Sequence, residues 1–110
     1  MSDTRGMPDS TPVSIADLAA YGDGAIVSRT ILDRPTGTVT LFAFDAGQTI
    51  SEHTTPYDAL VQVLAGAIRF TIGGEDMTAA AGQSVLMPAH IPHALTAESQ
   101  AKMLLIMIRS

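Results

Sequence analysis

Short apolar runs, separated by glycine, proline and acidic residues, make up most of the chain from residue 25 onward. Runs of this length that are rich in β-branched and aromatic residues are typical of β-strands. The predicted strands are Ala25–Leu32, Thr38–Phe44, Thr49–Thr54, Ala59–Leu64, Ala67–Ile72, Met77–Ala80, Ser84–Met87, Ala94–Ala97 and Lys102–Ile108. Many short strands with turn residues between them fold as a sandwich or a barrel, so the pattern predicts an all-β domain.

One β-hairpin is predicted by a regular alternation of apolar and polar residues from Ile68 to Ile72. Gly73 and Gly74 follow this segment directly, and glycine readily adopts the positive φ angles that a two-residue hairpin turn requires. The sequence therefore predicts that the strand beginning at Ala67 turns back at these two glycines.

Two other predicted strands lack this alternation. The segment Met103–Ile108 is apolar at every position, and Leu60–Leu64 is interrupted only by Gln62. Strands of this kind are usually covered on both faces. The interior of a barrel covers one face, and a second sheet or a second subunit is needed for the other. The chain is accordingly predicted to form a homodimer.

The N-terminal segment has a different composition. Residues Met1 to Pro12 are mostly Ser, Asp, Thr, Gly and Pro, and such a segment buries too little apolar surface to order itself. We therefore expect a flexible tail over residues 1–12 and a single domain over residues 13–110. Ser14 as an N-cap, with Asp17 in the first turn, predicts one short helix that Gly22 closes.

Composition and charge narrow the range of partners. The 110 residues suffice for one domain, and the apolar fraction of 46% is high against a charged fraction of 15%. A net charge of −5 without any Lys- or Arg-rich run argues against nucleic-acid binding. No apolar segment is long enough to cross a bilayer and no secretory signal is recognisable, so we expect a cytoplasmic protein without membrane contact.

The chain contains three histidines and no cysteine. Disulfides, thiolate metal sites and cysteine nucleophiles are therefore excluded, and any metal must be held by His, carboxylate or carbonyl groups. There is no glycine-rich phosphate loop, no Gly-x-Ser-x-Gly motif and no carboxylate pair suited to glycoside hydrolysis. Any catalysis would consequently depend on the imidazoles.

Two spaced motifs contain these histidines. The first motif runs Gly47-x5-His53-x-Thr55-x3-Ala59-x6-Gly66, and the second runs Gly82-x5-Pro88-x-His90-x2-His93. This spacing resembles the two motifs of the cupin superfamily, in particular its small single-domain members, and the resemblance covers residues 47–97. It implies a cupin-type double-stranded β-helix (jelly-roll) barrel with a short N-terminal helix.

The resemblance also implies which positions would bind a metal. In the family three histidines and a glutamate usually do so, and the matching positions here are His53, Thr55, Ala59 and His93, so that two of the usual ligands are replaced. Asp58 lies one residue before the usual glutamate. A shift of one residue turns a strand side chain to the opposite face, so we expect Asp58 to point away from the imidazoles unless a bulge turns it inward.

The predicted site is a pocket inside the barrel. His53 and Thr55 are two residues apart on a strand and therefore point to the same side, and the glycine-marked turns return the chain so that His93 faces His53. The predicted pocket residues are His53, Thr55, Ala59, Val61, Met87 and His93. His90 takes the place of a usual glycine, and it is interpreted as a partly exposed loop residue or, alternatively, as a third metal ligand.

Three functions remain open from the sequence. The first is binding of a small molecule in the pocket, with metal absent or weakly held. The second is a metal-dependent enzyme of the dioxygenase or isomerase type, in which His53 and His93, assisted by His90 or Asp58, bind Fe, Mn, Ni or Zn with open coordination positions. The third is a purely structural dimer.

Overall fold

Nine β-strands form the domain in the computed structural model, which describes residues 6–109. They are β1 (Ile26–Arg34), β2 (Gly37–Phe44), β3 (Thr49–His53), β4 (Asp58–Ala65), β5 (Ala67–Ile72), β6 (Glu75–Ala80), β7 (Ser84–Met87), β8 (His93–Ala97) and β9 (Ala101–Ile108). Every strand predicted from the sequence is present, and no strand end differs by more than two residues. The predicted all-β class is confirmed.

The strands form two antiparallel sheets that pack face to face. The five-stranded sheet has the order β1-β2-β9-β4-β7, and the four-stranded sheet has the order β3-β8-β5-β6. Neighbours in space are therefore often distant in sequence, and β9 lies between β2 and β4 in the larger sheet. This order brings the two histidine-containing motifs together, because the end of β3 pairs with the start of β8.

The core lies between the two sheets and follows from side-chain alternation along each strand. On β4, Ala59, Val61 and Val63 are buried whereas Leu60 and Gln62 are exposed. The largest fully buried side chains of this core are Phe44, Phe70, Ile68, Met103, Val61 and Val63. Because side chains at alternate positions point to opposite faces, each strand of this kind contributes one face to the core and one to the surface.

The predicted hairpin is confirmed at Gly73 and Gly74. Their φ angles are 58° and 84°, and Ile72 pairs directly with Glu75 across the turn. Two consecutive residues at positive φ define the type of two-residue turn that matches the twist of the flanking strands. The two glycines thus set the register of β5 against β6.

The predicted N-terminal helix is shorter than expected. Only Ile15–Leu18 is helical, as a single 3₁₀ turn, and the chain is already extended at Ala19. Ser14 is the N-cap residue and Asp17 lies in the first turn, as predicted, although the Ser14 side chain makes no capping hydrogen bond. The predicted end at Gly22 is wrong, because the turn ends at Leu18. One turn is too short for the cooperative hydrogen bonding that sustains an α-helix, and tertiary packing decides its conformation instead.

The segment around this turn covers part of the outer face of the five-stranded sheet. A second apolar cluster forms there around Ala19, Ile31, Leu41 and Ala43, and Tyr21 packs against it. This segment therefore covers part of the outer face of the strands that are apolar on both faces. The predicted homodimer stays a prediction.

Residues 1–5 of the predicted tail lie outside the described residues. Gly6 is buried against β1, where its N–H donates to the carbonyl oxygen of Ile31 at 3.0 Å and its own carbonyl accepts from Arg29 Nε at 2.7 Å. The division into a tail and a domain stays a prediction.

No helix within residues 6–109 has the length and apolar character needed to span a membrane.

Candidate ligand pocket

An apolar cavity of about 240 Å³ lies between the sheets. It is lined by Phe42, Ile50, His53, Thr55, Ala59, Met87, His93, Leu95, Met103, Leu105 and Met107. Eight of these eleven side chains are hydrocarbon or thioether groups, and the two imidazoles and one hydroxyl are the polar ones. A molecule in this cavity would therefore meet mainly apolar side chains.

His53 and His93 supply most of the polar side. His53 is the last residue of β3, His93 is the first residue of β8, and the two are direct partners in the antiparallel ladder. Their Nε2 atoms are 3.1 Å apart, and the rings meet edge to face with centroids 4.3 Å apart. His93 is 4% exposed, whereas His53 lies on the exposed side of the pair. The structure thus brings together the two histidines that the sequence analysis placed opposite each other.

The other ring nitrogen of each histidine faces a backbone carbonyl. Nδ1 of His53 is 2.8 Å from the oxygen of Ser51, and Nδ1 of His93 is 3.3 Å from the oxygen of Ile91. A carbonyl oxygen can only accept a hydrogen bond, so each contact is favourable when Nδ1 carries the proton. In this tautomer each Nε2 has a lone pair, and the 3.1 Å contact between the two Nε2 atoms then lacks a hydrogen.

The pair is one hydrogen short of satisfying all of its contacts. The two carbonyl contacts and the contact between the Nε2 atoms would together use three hydrogens. Two neutral imidazoles carry one N–H hydrogen each, so one of the three contacts has none. A further proton, or a donor group supplied by another molecule, would complete the set.

A further proton is disfavoured by the location of His93. Burial lowers the pKa of His93, the Ile91 carbonyl opposes this by favouring the charged ring, and the nearby His53 lowers the pKa again. Desolvation is the largest of these effects, since the charged imidazolium loses more hydration on burial than the neutral ring. At neutral pH His93 is therefore uncharged.

The remaining predicted pocket residues divide into two groups. Thr55, Ala59 and Met87 line the cavity, although the Thr55 hydroxyl donates to the carbonyl oxygen of Tyr57 at 3.0 Å and accepts from its N–H at 3.3 Å. Val61 does not line the cavity: it is fully buried in the core below it. Both Ala59 and Val61 point inward, and only Ala59, at the start of β4, reaches the open space.

His90 and Asp58 lie outside the cavity lining. His90 is an exposed residue with a φ of 67°, and its N–H donates to the carbonyl oxygen of Thr55 at 2.8 Å. Asp58 is also exposed, and its carboxylate accepts a hydrogen bond from the N–H of Ala89 at 2.8 Å. Asp58 therefore holds the loop after β7 in place.

Six lining residues were not anticipated from the motifs: Phe42, Ile50, Leu95, Met103, Leu105 and Met107. Three of them are on β9, where every second residue faces inward. The uniformly apolar sequence of β9 gave no indication of which set does so. On β2, Leu41, Phe42 and Ala43 are apolar in succession, so the sequence did not indicate that Phe42 faces the cavity.

Comparison with known proteins identifies the family. Two antiparallel sheets closing over a histidine-containing cavity define a jelly-roll barrel of the cupin type, and residues 40–109 match the family model for the cupin domain Cupin_2. The chain belongs to this family. A search of curated protein sequences gives no match.

Solved structures share the fold, and two of the three described here also share the extent of the chain. A conserved protein of unknown function from Streptococcus pyogenes is 34% identical, with a TM-score of 0.92, and the match covers 100% of this chain and 96% of that one. A cupin superfamily protein from Desulfitobacterium hafniense is 23% identical, with a TM-score of 0.92 and coverage of 99% and 100%. A cupin 2 conserved barrel domain protein from Leptotrichia buccalis is 37% identical, with a TM-score of 0.83 and coverage of 86% and 46%.

The metal site that the family implies is only half provided by this chain. Two nitrogen ligands of one ion, each at about 2.1 Å, can lie 3.1 Å apart, so His53 and His93 fit as a pair. Within residues 6–109, however, no three His, Asp or Glu side chains come together in a metal-binding group. The residues present do not form the full set of three histidines and a glutamate.

Proposed function

We propose that this cupin binds a small, mainly apolar molecule whose neutral hydroxyl group donates a hydrogen bond to the imidazole pair. The observation that carries the proposal is the approach of the two Nε2 atoms to 3.1 Å at an otherwise apolar cavity. A hydroxyl placed there supplies the missing hydrogen of the pair.

The cavity suits a ligand of modest size. An apolar cavity of about 150 Å³ is large enough to hold benzene, and this cavity measures about 240 Å³. One substituted ring or a branched chain of similar volume is therefore the expected size class. The aliphatic and thioether lining favours hydrocarbon because its burial removes apolar surface from water.

The charge of the site favours a neutral ligand. Burial lowers the pKa of His93, so this ring is uncharged at neutral pH. A carboxylate buried here would lack a compensating cation, and an unpaired buried charge is costly. We therefore expect phenols and alcohols to bind in preference to the matching carboxylates.

The alternative function is metal-dependent catalysis. The contacts of both Nδ1 atoms with backbone carbonyls favour it, since metal-binding histidines are commonly oriented in this way. Bound metal would act as a Lewis acid toward an oxygen-containing substrate. Against it stand the replaced positions, because the Thr55 hydroxyl is engaged with Tyr57 and Ala59 has no ligating atom.

The test compares three probes of similar shape at pH 7.5. Binding of 4-methylphenol, toluene and 4-methylbenzoate would be measured by calorimetry and by the shifts of the imidazole NMR signals. We expect 4-methylphenol to bind about tenfold more tightly than toluene, which corresponds to one net hydrogen bond, and 4-methylbenzoate to bind most weakly.

The matched variants are His53→Ala and His90→Ala, which remove the same group inside and outside the cavity lining. His53→Ala should abolish the preference for 4-methylphenol over toluene, and His90→Ala should retain it. Equal binding of the two probes by the unchanged protein would refute the proposal. Near-stoichiometric metal in untagged protein, lost in both His53→Ala and His93→Ala, would favour the metal-dependent alternative instead.

A further inference from the structure

The loop between β7 and β8, residues 88–92, connects the cavity wall to the imidazole pair. It follows Met87, which lines the cavity, and it leads directly into His93. Within this loop the carbonyl oxygen of Ile91 faces Nδ1 of His93 at 3.3 Å. The hydrogen bond of one imidazole nitrogen determines which of the two carries the proton. The conformation of the loop therefore selects the tautomer of His93.

Two consecutive N–H groups anchor the first half of the loop. The N–H of Ala89 donates to the carboxylate of Asp58 at 2.8 Å. The N–H of His90 donates to the carbonyl oxygen of Thr55, also at 2.8 Å. Only the first of these bonds depends on a side chain, so it is the one that a substitution of Asp58 removes.

His90 adopts a strained backbone conformation beside these anchors. Its φ is 67°, in the left-handed region that residues other than glycine seldom occupy. The far end of the loop is fixed separately, because the N–H of Gly73 donates to the Pro92 carbonyl at 2.9 Å. With the chain held at Pro92, a change in the φ of His90 is compensated by rotation at Ala89 and Ile91. The Ile91 carbonyl then changes direction.

We propose that Asp58 is a positioning residue that sets the tautomer of His93 and, through it, the preference of the cavity for a hydroxyl group. The bond from the Ala89 N–H to the Asp58 carboxylate offsets the strain at His90. When this bond is lost, His90 relaxes to a negative φ. The Ile91 carbonyl turns away, and Nδ1 of His93 loses its acceptor.

The proton of His93 then moves to Nε2, where it fills the contact with Nε2 of His53. Two hydrogens now suffice for the pair, since Nδ1 of His53 keeps its own bond to the Ser51 carbonyl. Neither Nε2 is free to accept from a ligand hydroxyl. This consequence for binding rests on the proposed function, whereas the change of tautomer does not.

Asp45 provides the matched control for loss of a carboxylate. It likewise accepts a backbone hydrogen bond, from the N–H of Gly24 at 2.7 Å. It lies before the start of β3, however, whereas His53 is at the end of that strand. Asp45→Ala therefore removes a bond of the same kind without affecting the loop over residues 88–92.

The first test reads the tautomer directly, from the nitrogen NMR shifts of the imidazole rings at pH 7.5 without ligand. In the unchanged protein we expect the proton of His93 on Nδ1. Asp58→Ala should move it to Nε2, and Asp45→Ala should leave it in place. Asp58→Asn should also leave it in place, because the amide retains a carbonyl oxygen as acceptor.

A double variant separates positioning from a general loss of structure. Glycine adopts a positive φ without strain, so adding His90→Gly to Asp58→Ala should keep the loop in place and return the proton to Nδ1. Circular dichroism would establish that the variants are folded, as the exposure of Asp58 leads us to expect. The proposal is overturned if Asp58→Ala keeps the proton on Nδ1, if Asp58→Asn loses it equally, or if the double variant does not restore it.

Ligand binding is the second test. Asp58→Ala should reduce the preference for 4-methylphenol over toluene from about tenfold to near equality, with toluene binding unchanged, and Asp45→Ala should retain the preference. A preference that Asp58→Ala retains would overturn the positioning role. Equal binding of the two probes by the unchanged protein would instead refute the proposed function, and the nitrogen shifts would still decide the role of Asp58.

Discussion

The Nε2 atoms of His53 and His93 are 3.1 Å apart, although forty positions separate the two residues in the sequence. The pairing of β3 with β8 produces this contact, and the backbone carbonyls of Ser51 and Ile91 orient the rings from behind. The pair is thus held by main-chain geometry rather than by other polar side chains. The two Nε2 atoms border an apolar cavity.

The first prediction concerns the pH dependence of stability. Burial lowers the pKa of His93, so below the ordinary imidazole pKa of about 6.5 the unfolded chain binds a proton more readily than the folded protein. The contribution of neutral His93 to the free energy of unfolding is therefore fully present above that pH. It is lost as the pH falls through 6.5 toward the lower pKa of the folded state. Urea unfolding at pH 7.5 and pH 5.5 would measure the decrease.

Two variants isolate the part of this decrease in unfolding free energy that is due to His93. His93→Gln should show a smaller difference in unfolding free energy between the two pH values than the unchanged protein, whereas His90→Gln should show the same difference. A larger decrease in His93→Gln than in the unchanged protein would contradict the assignment.

The second prediction concerns the turn between β4 and β5. Gly66 has a φ of 69°, and a Cβ added there would collide with the carbonyl oxygen of Gln100. Gly47 has a φ of 85°, but a Cβ there would meet nothing within 4 Å. Gly47→Ala should therefore cost only the left-handed conformation, about 1–2 kcal/mol, and Gly66→Ala should cost about 2 kcal/mol or more beyond that.

Equilibrium urea unfolding of the two alanine variants would compare these costs directly. Similar losses of unfolding free energy at both positions would mean that the backbone at Gln100 moves aside without a cost in free energy.

The third prediction concerns the cavity itself. Ala59 lines it, whereas Ala97 is fully buried in the packed core. Ala59→Phe should fill the cavity and abolish binding of 4-methylphenol with little loss of stability. Ala97→Phe should destabilise the protein by about 1–3 kcal/mol or more, because a packed interior has no room for the added atoms.

Thermal unfolding and calorimetry would separate the two effects. Retained 4-methylphenol binding in a folded Ala59→Phe variant would place the probe elsewhere on the protein.

Most of the fold was predictable from the sequence because local patterns and tertiary structure agree. The bounds of Ala67–Ile72 and Ser84–Met87 are those of β5 and β7, since turn residues mark both ends of each segment. The N-terminal helix was not predictable in this way. Its pattern spans a few residues, and their conformation depends on packing against the five-stranded sheet.

The site was predictable where the motifs reach and not beyond. The motif spacing predicted that His53 and His93 lie close together, because turns at fixed positions return the chain to the same region. It carried no information about β9, whose side chains Met103, Leu105 and Met107 form part of the cavity wall. Val61 was assigned to the pocket by its inward direction alone, and direction does not distinguish a cavity wall from packed core.

The uninterrupted apolar sequence of β9 has a consequence for how the barrel assembles. A slip of one residue would exchange all inward and outward side chains, and in most strands that would expose an apolar face. From Met103 to Ile108 such a slip exchanges one apolar set for another, so hydrophobicity does not choose between them. Lys102 distinguishes the two registers. Its ammonium group donates to the Ala16 carbonyl at 2.7 Å and lies over the Tyr21 ring, and both contacts require Lys102 to be on the outer face. A single cation thereby favours the register in which Met103, Leu105 and Met107 line the cavity.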